Sequence, residues 1–253
     1  MARGPVDLTP EEIAAVKAMV VYQDEAIIAL DKPSGLSSQG GRIKAHTLDD
    51  LLAAFAKASG NRPRLVHRLD RDTSGVILTA RTKPAAAALG KALMDRRVRK
   101  TYLAVVTPGA PDPREGTIES ALRRVEQGRE AHMRVCPDDH PDAEAAFTRY
   151  RTLGATEGAA LVELSPHTGR MHQLRVHLAS IGRPIAGDVR YGGALTLGGE
   201  PCGRLMLHAF SIQFRHPDGR AMRISAPVPA DFAATLERLG LPTPRAPDAP
   251  THG

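Results

Sequence analysis

The sequence predicts a mixed α+β fold with a mostly antiparallel sheet and flanking helices, and two observations support this class. Short runs in which apolar and polar residues alternate are typical of strands, and they outnumber the segments with helical spacing. These runs follow one another along the chain, which favours antiparallel pairing. At 253 residues, the chain is long enough to bury a substantial core.

The first hundred residues begin with a helix start signal. Thr9 suits an N-cap, and Glu12 completes a capping box three residues later, so a helix is expected to about residue 19. The first elements expected after it are two short strands at 20–30, a turn at 31–35 and a helix that begins at Thr47, includes Phe55 and ends before Gly60. A strand at 76–80 follows, and then a helix from Pro84 with a basic C-terminal end at Arg96, Arg97, Arg99 and Lys100.

The second part of the chain is expected to contain more strands than helices. Residues 108–146 are rich in Pro and charged residues and are interpreted as a variable excursion with short strands near 117–122. The other elements expected are strands at 102–106, 147–153, 159–164, 205–214 and 221–226, a helix capped by Thr168 that ends at Gly182, and a helix at 230–239.

Three regions of the chain are distinguished by these patterns. Residues 1–19 are expected to form an N-terminal extension with a short helix, and 20–240 are expected to form one domain. Residues 241–253 have no core-forming pattern, and we expect a disordered tail.

Composition restricts the class of partner and the compartment. The formal net charge of +6 favours a polyanionic partner. No apolar run is long enough to span a bilayer, so no membrane association is expected. The two cysteines, Cys136 and Cys202, indicate neither a disulfide framework nor a cysteine-based zinc site, so a cytoplasmic location is expected. We also expect the protein to be a monomer.

The stretch HRLDRDTSG at residues 67–75 holds the most reactive group of side chains. Asp70 lies between Arg68 and Arg71, and a carboxylate in a cationic setting stays ionised and can act as nucleophile or base. The same residues also suit an ordinary turn, in which Thr73 makes turn hydrogen bonds and Gly75 supplies an unusual backbone angle.

This stretch continues as HRLDRDTSGVIL and resembles the signature of the RluA-type pseudouridine synthases, in which the aspartate after H-R-L is catalytic. The resemblance spans about residues 20–232 and implies the pseudouridine synthase catalytic fold. It also implies an enzyme that isomerises uridines in structured RNA without a cofactor or metal. Other segments that resemble the family, in the same order, are KTY at 100–102, LSPHTGRMHQLRVHL at 164–178 with GRPIAGD at 182–188 and YG at 191–192, RLMLHA at 204–209 and APVP at 226–229.

The resemblance also implies roles for individual residues. Asp70 would attack the anomeric carbon of the sugar or take a proton from the sugar, and both routes stay open. Arg175 would keep Asp70 charged and oriented, although Arg170 is the other candidate for this partner, and Tyr102 would stack on the target base. The remaining substrate or RNA contacts expected are His67, Arg68, Arg71, Thr73, Arg170, His172, Gln173 and the pocket residue Leu207.

Several of these residues have a structural interpretation beside the functional one. His67 and His172 also suit hydrogen bonds that hold loops together. Arg170 suits either a phosphate contact or a contact with the Asp70 loop, and Tyr102 suits a core position.

The RNA target is predicted from weaker signals. Many family members carry a small N-terminal RNA-binding domain; fewer than 25 residues precede the core here, so we expect this domain to be absent. The segment GLSSQGG at 35–41 is similar to members that act on large-subunit ribosomal RNA. Transfer RNA stays open as the alternative target.

The residues alone also suggest three other functions. In the phosphatases with a D-x-D motif the motif follows a strand, whereas here it precedes one. A zinc site from His167, His172 and His177 would need a spacing of five, which places helix positions on different faces. The third rival is a non-catalytic RNA-binding protein. If this hypothesis holds, the Asp70→Asn variant keeps both RNA binding and the biological effect, whereas an enzyme with this change keeps only binding.

Overall fold

The computed structural model describes residues 6–40, 45–57, 60–127 and 130–245. Within these residues the chain forms two compact units, and each is built from two stretches of sequence. The described residues of the first unit lie within 6–98 and 211–227, and those of the second within 99–210 and 228–245.

The elements alternate irregularly between helix and strand, as expected for a mixed α+β fold. The α-helices of the described residues are α1 (Pro10–Ala18), α2 (Leu48–Leu51), α3 (Lys83–Met94), α4 (Gln173–Ser180) and α5 (Ala230–Arg238), with a short 3₁₀ helix at Leu52–Phe55. The strands are β1 (Val20–Gln23), β2 (Ile27–Lys32), β3 (Arg64–Leu65), β4 (Ser74–Ala80), β5 (Arg99–Val106), β6 (Glu115–Ile118), β7 (Leu122–Gln127), β8 (Glu130–Val135), β9 (Thr148–Ala155), β10 (Ala160–Pro166), β11 (Thr196–Leu197), β12 (Glu200–Pro201), β13 (Leu207–Arg215) and β14 (Ala221–Ser225).

The first unit is organised by the antiparallel pair of β2 and β4. Ile27 lies opposite Ala80 and Lys32 opposite Gly75, while β1 pairs with the other edge of β2 and β3 also pairs with β4. Both central strands are almost entirely buried, as expected for apolar runs that lack a solvent face. This register brings the end of β2 beside the loop that precedes β4.

The second unit is organised by antiparallel strands in the order β5, β10, β9 and β6. Its hairpin β7–β8 forms a separate two-stranded sheet. Leu122 and Met133 of that hairpin pack with Ala146 and with Val176 of α4. The predicted excursion at 108–146 therefore contains regular structure that its Pro-rich, charged composition did not reveal.

Most predicted elements are confirmed, including α1 with its capping box: the Thr9 hydroxyl accepts the N–H of Glu12, whose carboxylate accepts the N–H of Thr9. The predicted C-terminal end of the helix from Pro84 was wrong. Helix α3 ends at Met94, so Arg99 and Lys100 lie on β5 rather than at a helix terminus.

The start of α4 was also predicted wrongly. The helix begins at Gln173 with His172 as its N-cap, and the cap makes no side-chain hydrogen bond. The Thr168 hydroxyl instead bonds the amide of Gln173 and the N–H of Phe147, which holds the preceding loop.

Leu241, the first residue of the predicted tail, packs against the fold. Leu241 is buried and its N–H donates to the carbonyl of Leu236, so it extends the packing of α5. Residues 246–253 of that tail, and residue 41 at the end of GLSSQGG, lie outside the described residues. None of the described helices is both long and apolar enough to cross a bilayer.

Candidate active site

Asp70 lies in the loop that leads directly into β4, and it is partly exposed. The backbone on either side is held by short hydrogen bonds. The carbonyl of Asp70 accepts the N–H of Thr73 at 3.2 Å. The Ser38 hydroxyl donates to the carbonyl of Leu69 at 2.7 Å and accepts the Leu69 N–H at 3.1 Å. Asp70 is therefore presented from a backbone whose conformation is fixed on both sides.

The ammonium group of a buried lysine binds the backbone of this loop. Lys32, at the end of β2, is fully buried, and its Nζ donates to the carbonyls of Pro33, Leu36 and Arg71 at 2.9, 2.7 and 3.0 Å. These three bonds use every N–H of the ammonium group. Lys32 lies in a turn predicted from the sequence, and no periodicity shows where its long side chain ends, so this role is not visible in the sequence.

The three basic or near-basic residues of the loop have different surroundings. His67 accepts the N–H of Leu78 through Nε2 at 3.1 Å, so a neutral ring carries its proton on Nδ1. This bond agrees with the loop-holding interpretation. Arg71 donates from Nε to the carbonyl of Gly35 at 3.1 Å, and Arg68 is exposed.

Arg175 forms a buried ion pair with Asp188 within the second unit. Its Nε and Nη2 lie 2.7 and 2.8 Å from Oδ2 and Oδ1 of Asp188, a bidentate arrangement in which the two residues are 7% and 1% exposed. Oδ1 also accepts the N–H groups of Arg190 and Tyr191 at 3.0 and 3.1 Å. The family segment containing Asp188 was recognised in the sequence, but this partner of Arg175 was not.

The predicted partnership between Arg175 and Asp70 stays a prediction. Asp188 engages two of the five N–H donors of the guanidinium group, so the ion pair is compatible with a second acceptor.

The turn before α4 is organised by the buried amide of Gln173. Its Oε1 accepts the Thr168 hydroxyl at 2.7 Å and the Arg170 N–H at 3.1 Å. Its Nε2 donates to Phe147 and Thr148 at 3.0 Å each. In this structure Gln173 therefore makes structural bonds with all its polar atoms. The Arg170 guanidinium lies 2.7 Å from Glu144.

Tyr102 and Leu207 occupy buried positions on strands. Tyr102 lies on β5 opposite Leu164 of β10, and Leu207 begins β13. Lys100 shares the face of Tyr102 because side chains two residues apart on a strand point the same way. Burial lowers the pKa of the Lys100 ammonium.

The predicted histidines make separate contacts. His172 lies with its Nδ1 2.8 Å from the hydroxyl of Tyr191. His177 is buried between the Thr148 hydroxyl and the carbonyl of Ser120, and burial lowers its pKa. Over the described ranges, no three His, Cys, Asp or Glu side chains gather where they could hold a metal ion.

Comparisons with known proteins bear on the same residues. The sequence pattern of the family described as RNA pseudouridylate synthase matches residues 26–180, a stretch that includes Asp70, Tyr102 and Arg175. The chain is 36% identical over 235 residues to the ribosomal large subunit pseudouridine synthase C of Escherichia coli strain K12, which covers 90% of this chain and 72% of that one.

Two further proteins extend the similarity to eukaryotes and to a solved structure. A mitochondrial pseudouridylate synthase of Xenopus tropicalis is 35% identical over 268 residues, or 90% of this chain and 82% of that one. The solved structure of human RNA pseudouridylate synthase domain containing 4 has a TM-score of 0.79 and 27% identity, and it covers 93% of this chain and 99% of that chain.

Proposed function

The chain belongs to the RNA pseudouridine synthase family of the RluA type, and from this premise we propose that Asp70 is its catalytic carboxylate and large-subunit ribosomal RNA its substrate. Family membership makes the chain an isomerase that acts on RNA. The similarity to the bacterial large-subunit enzyme, over 90% of the chain, carries the choice of target.

The reaction rearranges one nucleoside without adding or removing an atom. The bond between the sugar and uracil N1 breaks, the base turns, and a new bond forms between the sugar and carbon 5. The proton on carbon 5 is then lost and N1 gains one. Because the atoms and electrons balance within uridine, the chemistry requires a base or nucleophile and a site that retains the detached uracil.

Asp70 suits this role because it combines a reactive group with a rigid support. The ionised carboxylate either attacks the anomeric carbon or takes a proton from the sugar. A preorganised backbone reduces the reorganisation needed at the moment of reaction. The bonds of Ser38 to Leu69, and of Lys32 to Arg71, hold the residues immediately before and after Asp70.

Tyr102 and Arg175 complete the proposed catalytic group. Tyr102 stacks on the uracil ring, and its hydroxyl assists removal of the carbon 5 proton. Arg175 supplies a second charged contact, to Asp70, beyond its pair with Asp188. The remaining predicted contacts, Arg68 and Arg71 first among them, bind the RNA around the target nucleotide, which must leave its stack to react.

Mapping of pseudouridines in total RNA tests both parts of the proposal. In a strain without the gene, we expect one to three pseudouridines to be lost from large-subunit ribosomal RNA. A wild-type copy should restore them and an Asp70→Ala copy should not. Loss confined to transfer RNA would overturn the ribosomal target while leaving the reaction class intact.

A matched variant in the same loop separates catalysis from loop integrity. Asp72 lies two residues from Asp70, is exposed, and pairs weakly with Arg71 at 3.9 Å. With purified protein and ribosomal RNA, Asp70→Asn should lower the rate by at least about 10³-fold, while Asp72→Asn should stay within about twofold of wild type. Activity retained by Asp70→Asn would refute the catalytic assignment.

A further inference from the structure

Tyr191 contacts two predicted site residues, yet the proposed chemistry gives it no role. Its ring lies under the guanidinium of Arg175, with the central carbon 5.0 Å from the ring centroid. The ring of His172 meets it edge-on, with centroids 5.6 Å apart and planes at 76°. A cation over an aromatic face and a second ring at its edge are both favourable arrangements.

The hydroxyl of Tyr191 joins three parts of the second unit. It accepts the backbone N–H of Met133 on hairpin β7–β8 at 3.1 Å and lies 2.8 Å from Nδ1 of His172. The backbone N–H of Tyr191 in turn donates to Asp188, the partner of Arg175. Burial raises the pKa of Tyr191, so the hydroxyl keeps its proton.

The geometry of these bonds points to one state of His172. The Met133 N–H can only donate, so the tyrosine oxygen accepts there, and Nδ1 of His172 at 2.8 Å is placed to accept the proton of the hydroxyl. A neutral imidazole that accepts at Nδ1 carries its proton at Nε2. Protonation of His172 would instead place a second cation beside the tyrosine ring that already bears Arg175.

The backbone of His172 supports the view that its placement is specific. Its φ of 53° and ψ of 18° lie in the left-handed region, which residues other than glycine rarely adopt. Such strain persists where the surroundings over-determine the conformation, and it concentrates at functional sites.

We propose that Tyr191 is a positioning residue that orders Arg175 with its ring face and holds His172 as the neutral tautomer protonated at Nε2. The proposal rests on the proposed function, since it concerns residues of that site. Different groups of Tyr191 carry the two roles. The ring positions Arg175, and the hydroxyl selects the tautomer of His172.

Nitrogen-15 spectra of the histidine rings test the tautomer directly, with the His172 signals identified by their loss in His172→Gln. In the wild type we expect an unprotonated Nδ1 and a protonated Nε2. Tyr191→Phe keeps the ring and removes the hydroxyl, so this preference should disappear. A wild-type His172 protonated at Nδ1, whether as the imidazolium ion or as the other neutral tautomer, would overturn the proposal.

Kinetics supply the second readout. Tyr191→Phe should lower kcat by about tenfold with KM within about twofold, because it removes the bonds of the hydroxyl to His172 and Met133 and keeps the ring beneath Arg175. Tyr191→Leu also removes the ring beneath Arg175 and should lower kcat by about a hundredfold. An unchanged kcat in Tyr191→Phe would refute the positioning role.

Tyr150→Phe is the matched control, since Tyr150 is a buried tyrosine of the same unit whose hydroxyl donates to the carbonyl of Pro113. It should alter neither the His172 spectrum nor kcat. If wild-type protein shows the expected spectrum but forms no pseudouridine, the proposed function fails and the tautomer assignment stands. The wild-type spectrum decides that assignment even if a variant does not fold.

Discussion

The two units each contain a buried charge beside predicted site residues, and the two charges are compensated in opposite ways. In the first unit the ammonium of Lys32 donates to three carbonyls of the chain around the Asp70 loop. In the second, the carboxylate of Asp188 accepts from Arg175 and from two backbone N–H groups.

The two charged side chains differ in the groups that they bind. Lys32 binds three backbone carbonyls, and these belong to residues that are exposed or partly exposed: Pro33, Leu36 and Arg71. Asp188 neutralises a second buried charge, which water cannot replace as easily. Removal of Asp188 should therefore cost more stability than removal of Lys32, whose loss should appear mainly as local mobility.

Asp188→Ala is expected to have the largest effect on stability. It leaves the Arg175 guanidinium buried without its partner, and loss of one member of a buried pair costs about 3–5 kcal/mol. Asp188→Asn keeps an acceptor for the two backbone N–H groups and should recover about 1–2 kcal/mol of that loss. Urea unfolding of both variants measures the difference; a loss below about 1 kcal/mol in Asp188→Ala would contradict the comparison.

Lys32→Met should have a smaller global effect, about 1–3 kcal/mol, because it removes three bonds from a charged donor while the carbonyls regain water. Its clearest signature is expected in amide hydrogen exchange, which should accelerate over residues 33–38 and 69–73. The exposed Lys83→Met serves as the control and should change neither measurement. Exchange rates unchanged from wild type would show that Lys32 does not hold the loop.

The smallest effect on stability is expected at Asp218, an exposed carboxylate of the first unit. The backbone N–H of Arg220 lowers the pKa of Asp218, helped by His216 at 2.7 Å and by the Arg220 side chain at 2.8 Å. A carboxyl group with a lowered folded pKa stabilises the fold above its unfolded value of about 3.9, and this contribution is lost as the pH falls.

Asp218→Asn should therefore be less stable than wild type at pH 6, and the gap should narrow below about pH 4. Urea midpoints at pH 6 and pH 3 measure the gap. The exposed Asp139→Asn controls for the change in net charge. A gap that widens on acidification would contradict the sign of this effect.

The sequence predicted elements better than it predicted contacts. Alternation and capping signals located α1, β4 and α5, because such patterns follow from the local period of a helix or strand. Hairpin β7–β8 was missed, since it is charged and buries little beyond Leu122 and Met133.

In the candidate site, too, the sequence predicted motifs of adjoining residues but not contacts between distant ones. The motif around Asp70 was readable because its residues adjoin one another in the chain. The partners Lys32–Arg71 and Arg175–Asp188 were not, since 39 and 13 residues separate them and no spacing rule connects such positions. The role of Tyr191 depends on the directions of three side chains, which the sequence does not encode as a pattern.

Because Lys32 is buried, the reactivity of its amine can be used to measure how often the Asp70 loop opens. An amine-reactive anhydride modifies exposed lysines such as Lys83 at once, but it reaches Lys32 only when the three carbonyl bonds break. The rate at which Lys32 becomes acylated therefore counts the openings of that loop. Binding of substrate RNA should slow this rate to the extent that it closes the loop over its target.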